Sequence, residues 1–302
     1  MRSIRAGLIV IALAAAAGAV SAQQEPTGDL DALMARVLER RDAGWKALQQ
    51  YVLQERETFQ LTGPGGAPLY GFEREYAWFP RDGFFIRSPL RADGVEIADA
   101  ERREAEAAFL RRQRRREARR SRGEPQEPAG GAAIEDVITQ SFEPQFIASA
   151  DFLRFRFDPG QYALAGRERL FDRDVLRIEY YPTKLFTEGR TRPNRRLREE
   201  DERVRERMNK VSLVTLWVDP AVHQILQYHF DNIDLDFLPV RSLVRVDGME
   251  AWMQMSEPFP GVWLPARVDV RVDLTVALGE VVARYEAQYH DYRQPSVTST
   301  IQ

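Results

Sequence analysis

The run Arg267-Val268-Asp269-Val270-Arg271-Val272-Asp273-Leu274-Thr275-Val276 decides the fold. Successive side chains of an extended chain point to opposite faces, so Val268, Val270, Val272, Leu274 and Val276 share one face. Arg267, Asp269, Arg271, Asp273 and Thr275 share the other. One buried face and one wet face is the signature of an antiparallel sheet that packs on a core from one side.

The same alternation recurs outward from this run. Leu176, Ile178 and Tyr180 alternate with Arg177 and Glu179, and Leu153, Phe155 and Phe157 alternate with Arg154 and Arg156, which predicts a strand at each place. Residues 211 to 218 are apolar on both faces, as expected of a central strand covered on its outer side as well. Further strands are expected over 51–61, 69–79, 84–87, 224–230, 233–237, 242–246, 249–255 and 281–289. Turn chemistry separates them at 63–68, Pro80 to Gly83, Asp231-Asn232, Pro239 and Asp247-Gly248.

Ahead of the strands the period changes to that of a helix. Leu30, Leu33, Met34, Val37, Leu38, Trp45 and Leu48 recur at helical spacing, with Arg36, Glu39, Arg40, Arg41 and Asp42 between them. A twisted antiparallel meander of this length curls, and its apolar side needs a cover. This helix and the apolar segment Ile134–Phe152 are the available covers. The expected fold is α+β: a curved antiparallel sheet forming an unclosed β-barrel, with helices on its concave side. An outer-membrane β-barrel is the competing architecture; the leading helix, the two-sided apolar strand at 211–218 and the polar tail from Gln294 to Gln302 argue against it.

Residues 1–22 read as a secretory signal: Arg2 and Arg5 precede the apolar run Ala6 to Val20, and Val20-Ser21-Ala22 suits a signal peptidase. The expectation is a periplasmic or secreted protein, cleaved near Ala22, with one domain over 23–302. Arg-rich insertions interrupt it near 98–131 and 190–210. The first carries Arg111, Arg112, Arg114, Arg115, Arg116, Arg119, Arg120 and Arg122 on helix-forming sequence. It reads either as a solvated connector or as a surface that docks on anionic membrane or partner surfaces, with Arg114, Arg115, Arg116, Arg119 and Arg120 as the docking residues. The formal net charge is −3, and losing Arg2 and Arg5 makes it more negative, which gives no reason to expect nucleic-acid binding.

Of the 302 residues none is cysteine, so thiol chemistry and Cys-ligated zinc are excluded. His223, His229 and Asp231 fall on one face of a strand, but the two histidines are ~20 Å apart at ~3.3 Å per residue, too far to share a metal ion. Asp234 and Asp236 share a face, and their alternation with Ile233, Leu235 and Phe237 makes them the wet side of a strand. No Gly-x-Ser-x-Gly, phosphate-binding loop or His-Glu-x-x-His motif occurs. No enzyme activity, metal or cofactor is therefore expected.

The order of elements and two short motifs resemble the LolA/LolB-like superfamily of periplasmic lipoprotein carriers, whose relatives include the sensor domain of RseB-type proteins. The motifs are Leu213-Val214-Thr215-Leu216-Trp217-Val218-Asp219-Pro220 and Pro258-Phe259-Pro260-Gly261-Val262-Trp263-Leu264-Pro265. The resemblance covers about 30–293 and implies a half-barrel whose apolar interior shelters the acyl chain of a lipid or lipoprotein. The residues permit that on their own terms. Trp45, Phe155, Phe157, Tyr180, Trp217, Tyr228, Phe230, Trp252, Met253, Met255 and Trp263, with Tyr162, Leu176 and Phe237, are more large apolar groups than a thin sheet needs. They either line a ligand cavity or pack together as core. The alternative function is an envelope protein-interaction or stress-sensing module in which the same groups serve only as core.

Overall fold

The computed structural model describes residues 27–122, 149–182, 212–232, 244–277 and 279–295. The expected signal segment, the second Arg-rich insertion, the 233–237 strand with Asp234, Asp236 and Phe237, and most of 134–152 lie outside the described residues. The helix α1, Thr27–Leu48, is followed by β1 (Val52–Thr62), β2 (Pro68–Arg81), β3 (Phe84–Ala92), β4 (Val95–Glu96) and helix α2 (Asp99–Ser121). A short helix α3 (Ser149–Leu153) precedes β5 (Tyr162–Leu170), β6 (Arg173–Tyr180), β7 (Ser212–Asp219), β8 (Gln224–Asn232), β9 (Val244–Phe259), β10 (Val262–Val276) and β11 (Gly279–Arg293).

These strands form one antiparallel sheet in the order β4-β3-β2-β1-β11-β10-β9-β8-β7-β6-β5. Every strand pairs with its sequence neighbour except at the centre, where β1 meets β11, Phe59 opposite Tyr285. The two ends of the sheet, β4 and β5, are not paired with one another, so the sheet is curved but unclosed, as the sequence predicts. Asp82 and Gly83 both take left-handed φ at the expected β2–β3 hairpin, which matches the twist of the flanking strands.

The run that decides the fold is the middle of β10. Val268 and Val270 are buried, and they sit opposite Met253 and Ala251 of β9 and Ala287 and Tyr285 of β11. Across β8, β7 and β6 the same inner row continues through Tyr228, Leu216 and Ile178, all fully buried. Helix α1 covers this row: Leu30, Met34, Val37 and Leu48 form its buried stripe, against β10, β8 and β5. Burying one such side chain contributes roughly 1.5–3 kcal/mol, so the stripe is what seats the helix. Phe152 and Leu153 of α3 join the same core.

Two local expectations are corrected. Residues 153–157 are not a strand: α3 ends at Leu153 and the chain then runs without regular structure to Asp158, whose N–H donates to the Tyr180 hydroxyl at 2.9 Å. Phe155 and Phe157 still pack on the core while Arg154 stays exposed, so the alternation records burial without a ladder. The Asp247-Gly248 pair is not a turn between two strands. It lies within the single strand β9, where Leu274 pairs with Val246 and Asp273 with Gly248, leaving Asp247 as the extra residue of a bulge. Its carboxylate is held by Arg245 and by the Thr275 hydroxyl, the latter at 2.6 Å.

Helix α2 meets the sheet at β3. Because β4 is only two residues long, most of β3 is left as an edge, and α2 runs beside it. Glu106 of α2 is buried and accepts from Ser88 at 2.6 Å and from Arg81 at 2.8 Å, and Leu110 is buried next to them.

Candidate ligand-binding face

The inner face divides into an apolar half under α1 and a polar strip toward β1, β2 and β3. In the apolar half, Tyr180, Tyr228 and Met253 are fully buried, and Met255 and Trp263 are nearly so. Phe155, Phe157, Phe230 and Trp45 pack against them partly exposed. Phe230 meets Phe155 and Phe152 edge-on at 5.0 and 5.2 Å, and Phe157 meets Tyr180 at 4.8 Å, so these rings make one cluster rather than separate contacts. The Arg173 guanidinium lies over Trp263, and that of Arg154 over Trp45.

Trp217 and Trp252 are not part of this face. Register pairs Trp217 with Arg177 and Gln227, and Trp252 with His229, so both alternate with the inner residues Leu216 and Met253 and point to the other side. There the two indoles stack at 5.8 Å and the His229 ring lies 3.5 Å from Trp252. Burial lowers the His229 pKa, and Asp231 and Glu250 oppose the shift. Thr215 and Gln227 are buried on this outer side, which agrees with the expectation that β7 is covered on both faces. His223 stands in the turn before β8 at positive φ, and among the described residues no three acidic or imidazole groups gather as a metal site.

Sequence reasoning misses the polar strip. Glu55 and Glu57 of β1 share the inward parity of Leu53 and Phe59, and their side chains are 3% and 7% exposed. Arg87 of β3 answers both: its Nη2 lies 2.7 Å from Glu55 and 3.1 Å from Glu57, and its Nε donates to Glu55 at 3.1 Å. Trp78 donates to the same Glu55 carboxylate, and the Arg87 guanidinium stacks on Tyr76 at 3.5 Å. Burial works against the Arg87 charge, yet Glu55 and Glu57 hold it protonated above the ordinary arginine range. With its partners already engaged, this strip ties β1, β2 and β3 together. Burial raises the hydroxyl pKa values of Tyr285 and Tyr289 of β11, which line its edge.

The sequence reading sets Arg41 among the polar residues between the apolar positions of α1. The structure places it on the buried stripe itself, since 30, 34, 37, 41 and 48 fall on one helical face, and it is 9% exposed. Of the arginines expected to dock on an anionic surface, Arg114 and Arg115 are exposed, and Arg114 reaches Asp82 at 3.3 Å. The Arg116, Arg119 and Arg120 side chains lie outside the described residues.

No protein-family model and no curated protein sequence matches the chain. Among solved structures it is similar to a DUF1329 family protein from Desulfovibrio piger, at 12% identity and a TM-score of 0.39, over 88% of this chain and 95% of that one. It is also similar to a lipovitellin structure described for its lipid–protein interactions, at 8% identity and a TM-score of 0.31, over 83% of this chain and 26% of that one. A third is the Pseudomonas aeruginosa MucA/MucB complex, at 12% identity and a TM-score of 0.19, over 89% of this chain and 100% of that one. At such identities these likenesses assign neither ligand nor partner to this chain.

Proposed function

We propose that the chain is an exported, non-enzymatic binding or carrier protein that shelters a hydrophobic ligand, a lipid or the acyl chain of a lipoprotein, between α1 and the apolar half of the inner face. The observation that carries this reading is the way α1 is seated. Its stripe rests on a continuous apolar row, while its polar ties run to loops: Arg40 to the Gly261 carbonyl, Arg41 to the Phe155 carbonyl, and Asp31 to the Gly160 N–H. An aliphatic chain entering beneath the helix exchanges one apolar contact for another, at little cost in polar groups. Met34, Met253 and Met255 on the two sides of that seam adapt to a ligand without fixed shape. The exported location rests on Arg2, Arg5 and Val20-Ser21-Ala22.

The arginines of α2 belong to the same proposal as a docking element for anionic headgroups. Each arginine near such a surface contributes roughly 1 kcal/mol, and the attraction is screened over ~8 Å at physiological salt. Two titrations test the reading. A fluorescent fatty-acyl probe should bind the mature protein saturably and quench its tryptophans, and absence of saturable binding favours the interaction-module alternative. Anionic vesicles should co-sediment the protein at low salt and lose it when Arg114, Arg115, Arg116, Arg119 and Arg120 become Gln; unchanged sedimentation makes α2 a connector only.

A further inference from the structure

Because the strands alternate in direction, the β2–β3, β5–β6, β7–β8 and β9–β10 turns all lie at one end of the sheet. Three of them are tied into one rim: Arg173, at the start of β6, donates to Asp219 at the end of β7 at 3.0 Å and to Glu257 near the end of β9 at 2.8 Å. The β5–β6 turn is Phe171-Asp172, with φ of 49° and 60°. Such a turn ordinarily takes Asn-Gly, and a bulky side chain avoids left-handed backbone. Packing does not explain the phenylalanine either. It is 53% exposed and stands outside the core cluster, as does Val222 of the β7–β8 turn at 41%. A strained backbone that holds an apolar ring out in water points to a use beyond the fold.

The same end of the sheet carries positive charge. Helix α2 runs along β3 to this end: Glu106 accepts from Arg81, and Arg114 reaches Asp82 in the β2–β3 turn at 3.3 Å. Arg111, Arg112 and Arg115 are exposed on that stretch and carry no ion pair among the described residues. The carboxylates beside the apolar tips are answered locally, Asp219 and Glu257 by Arg173, and Asp172 by Arg169 at 3.9 Å, which also faces Asp174 in register. We propose that this rim is the face the protein sets on an anionic bilayer, with Phe171 and Val222 entering the headgroup region and the α2 arginines on lipid phosphates. The inference rests on the docking role of α2 given above and fixes which end of the sheet meets the membrane. The two hairpin tips stand two strand spacings apart, about 10 Å, so both side chains reach one surface together. Interfacial binding adds buried apolar area to attraction for anionic lipid, and the apolar part persists when salt screens the arginines.

The chain has no cysteine, so a single introduced cysteine carries a fluorophore to one chosen place. Phe171→Cys, Val222→Cys and, at the opposite end of the sheet, Leu69→Cys, a position 57% exposed, are labelled with NBD in the mature protein. Each is titrated with vesicles of equimolar phosphatidylglycerol and phosphatidylethanolamine. Emission at 171 and 222 should shift to the blue and be quenched by doxyl-labelled lipid, and emission at 69 should do neither. Unlabelled Phe171→Gly should bind the vesicles about tenfold more weakly at high salt, as loss of a partly buried phenylalanine implies. Its unfolding midpoint should hold or rise, since glycine accepts the turn's φ. No shift at 171 and 222, an equal shift at 69, or an unchanged vesicle affinity or lowered midpoint in Phe171→Gly overturns the rim while leaving α2 docking intact. Failure of the wild-type protein to bind these vesicles overturns the docking role of α2 and the rim with it.

Discussion

Replacing Arg87 by Met leaves two carboxylates on the inner side of β1 without the cation that serves both. Glu55 and Glu57 are 3% and 7% exposed, so water cannot take over the role of the guanidinium without opening the sheet. Removing one member of a buried ion pair costs about 3–5 kcal/mol, because the partner stays behind as an uncompensated charge. Arg87 itself is 25% exposed, which lets some solvent reach the vacated space and sets the expected loss near the lower end, about 3 kcal/mol. Methionine preserves much of the side-chain length, so the loss reports charge rather than volume. The assay is equilibrium unfolding in urea, read by tryptophan fluorescence, on wild type, Arg87→Met, Glu55→Gln and the double variant. The double variant should recover about 1 kcal/mol or more relative to the sum of the single losses, since the neutral amide that replaces the Glu55 carboxylate no longer needs a cation. A loss under about 1 kcal/mol in Arg87→Met, or strict additivity, refutes the reasoning and makes the cluster equivalent to an exposed pair.

Other expectations follow from the same structure. Met34→Ala removes a fully buried side chain from the seam between α1 and the sheet and should cost about 2–5 kcal/mol in the same urea assay. Glu106→Ala strips the buried acceptor of Ser88 and Arg81 and should cost about 1–3 kcal/mol, with faster amide exchange confined to α2 and β3. Because burial lowers the His229 pKa in the folded state, its contribution to stability is complete above about pH 6.5 and is lost as pH falls through the folded-state value. His229→Asn should therefore flatten the decline in unfolding midpoint between about pH 7 and 5. Burial raises Tyr285, Tyr289 and Tyr292, so their contribution is complete below about pH 10 and lost as pH rises further. Their tyrosinate absorbance should appear only together with loss of structure.

The sheet was legible because alternation at Val268 and Val270, or at Ile178 and Tyr180, states which face is buried wherever one face meets water. Helix α1 was legible for the same reason at period 3.6. The strand order was not, since pairing β1 with β11 joins segments more than two hundred residues apart and no local pattern records it. Parity contained more than was drawn from it. Trp252 and Met253 are neighbours in one strand and cannot both face inward, so one of them had to leave the proposed lining. Glu55 and Glu57 sit at the parity of Leu53 and Phe59, and Arg41 at the period of Met34 and Val37. In each case the position announced burial, while the residue type suggested solvent; only the partner explains the conflict, Arg87 for the two glutamates and the Phe155 carbonyl with Asp42 for Arg41. Aromatic content alone does not separate a lined site from a packed core, because the same rings serve both.

The central claim, that the inner face holds an acyl ligand, is tested most directly by native mass spectrometry of the protein purified from its own cells without detergent. The account predicts adducts whose masses, after extraction and fragmentation, are those of fatty-acyl species, and which vanish on organic extraction. A single unliganded mass, unchanged after incubation with excess fatty acid, contradicts it.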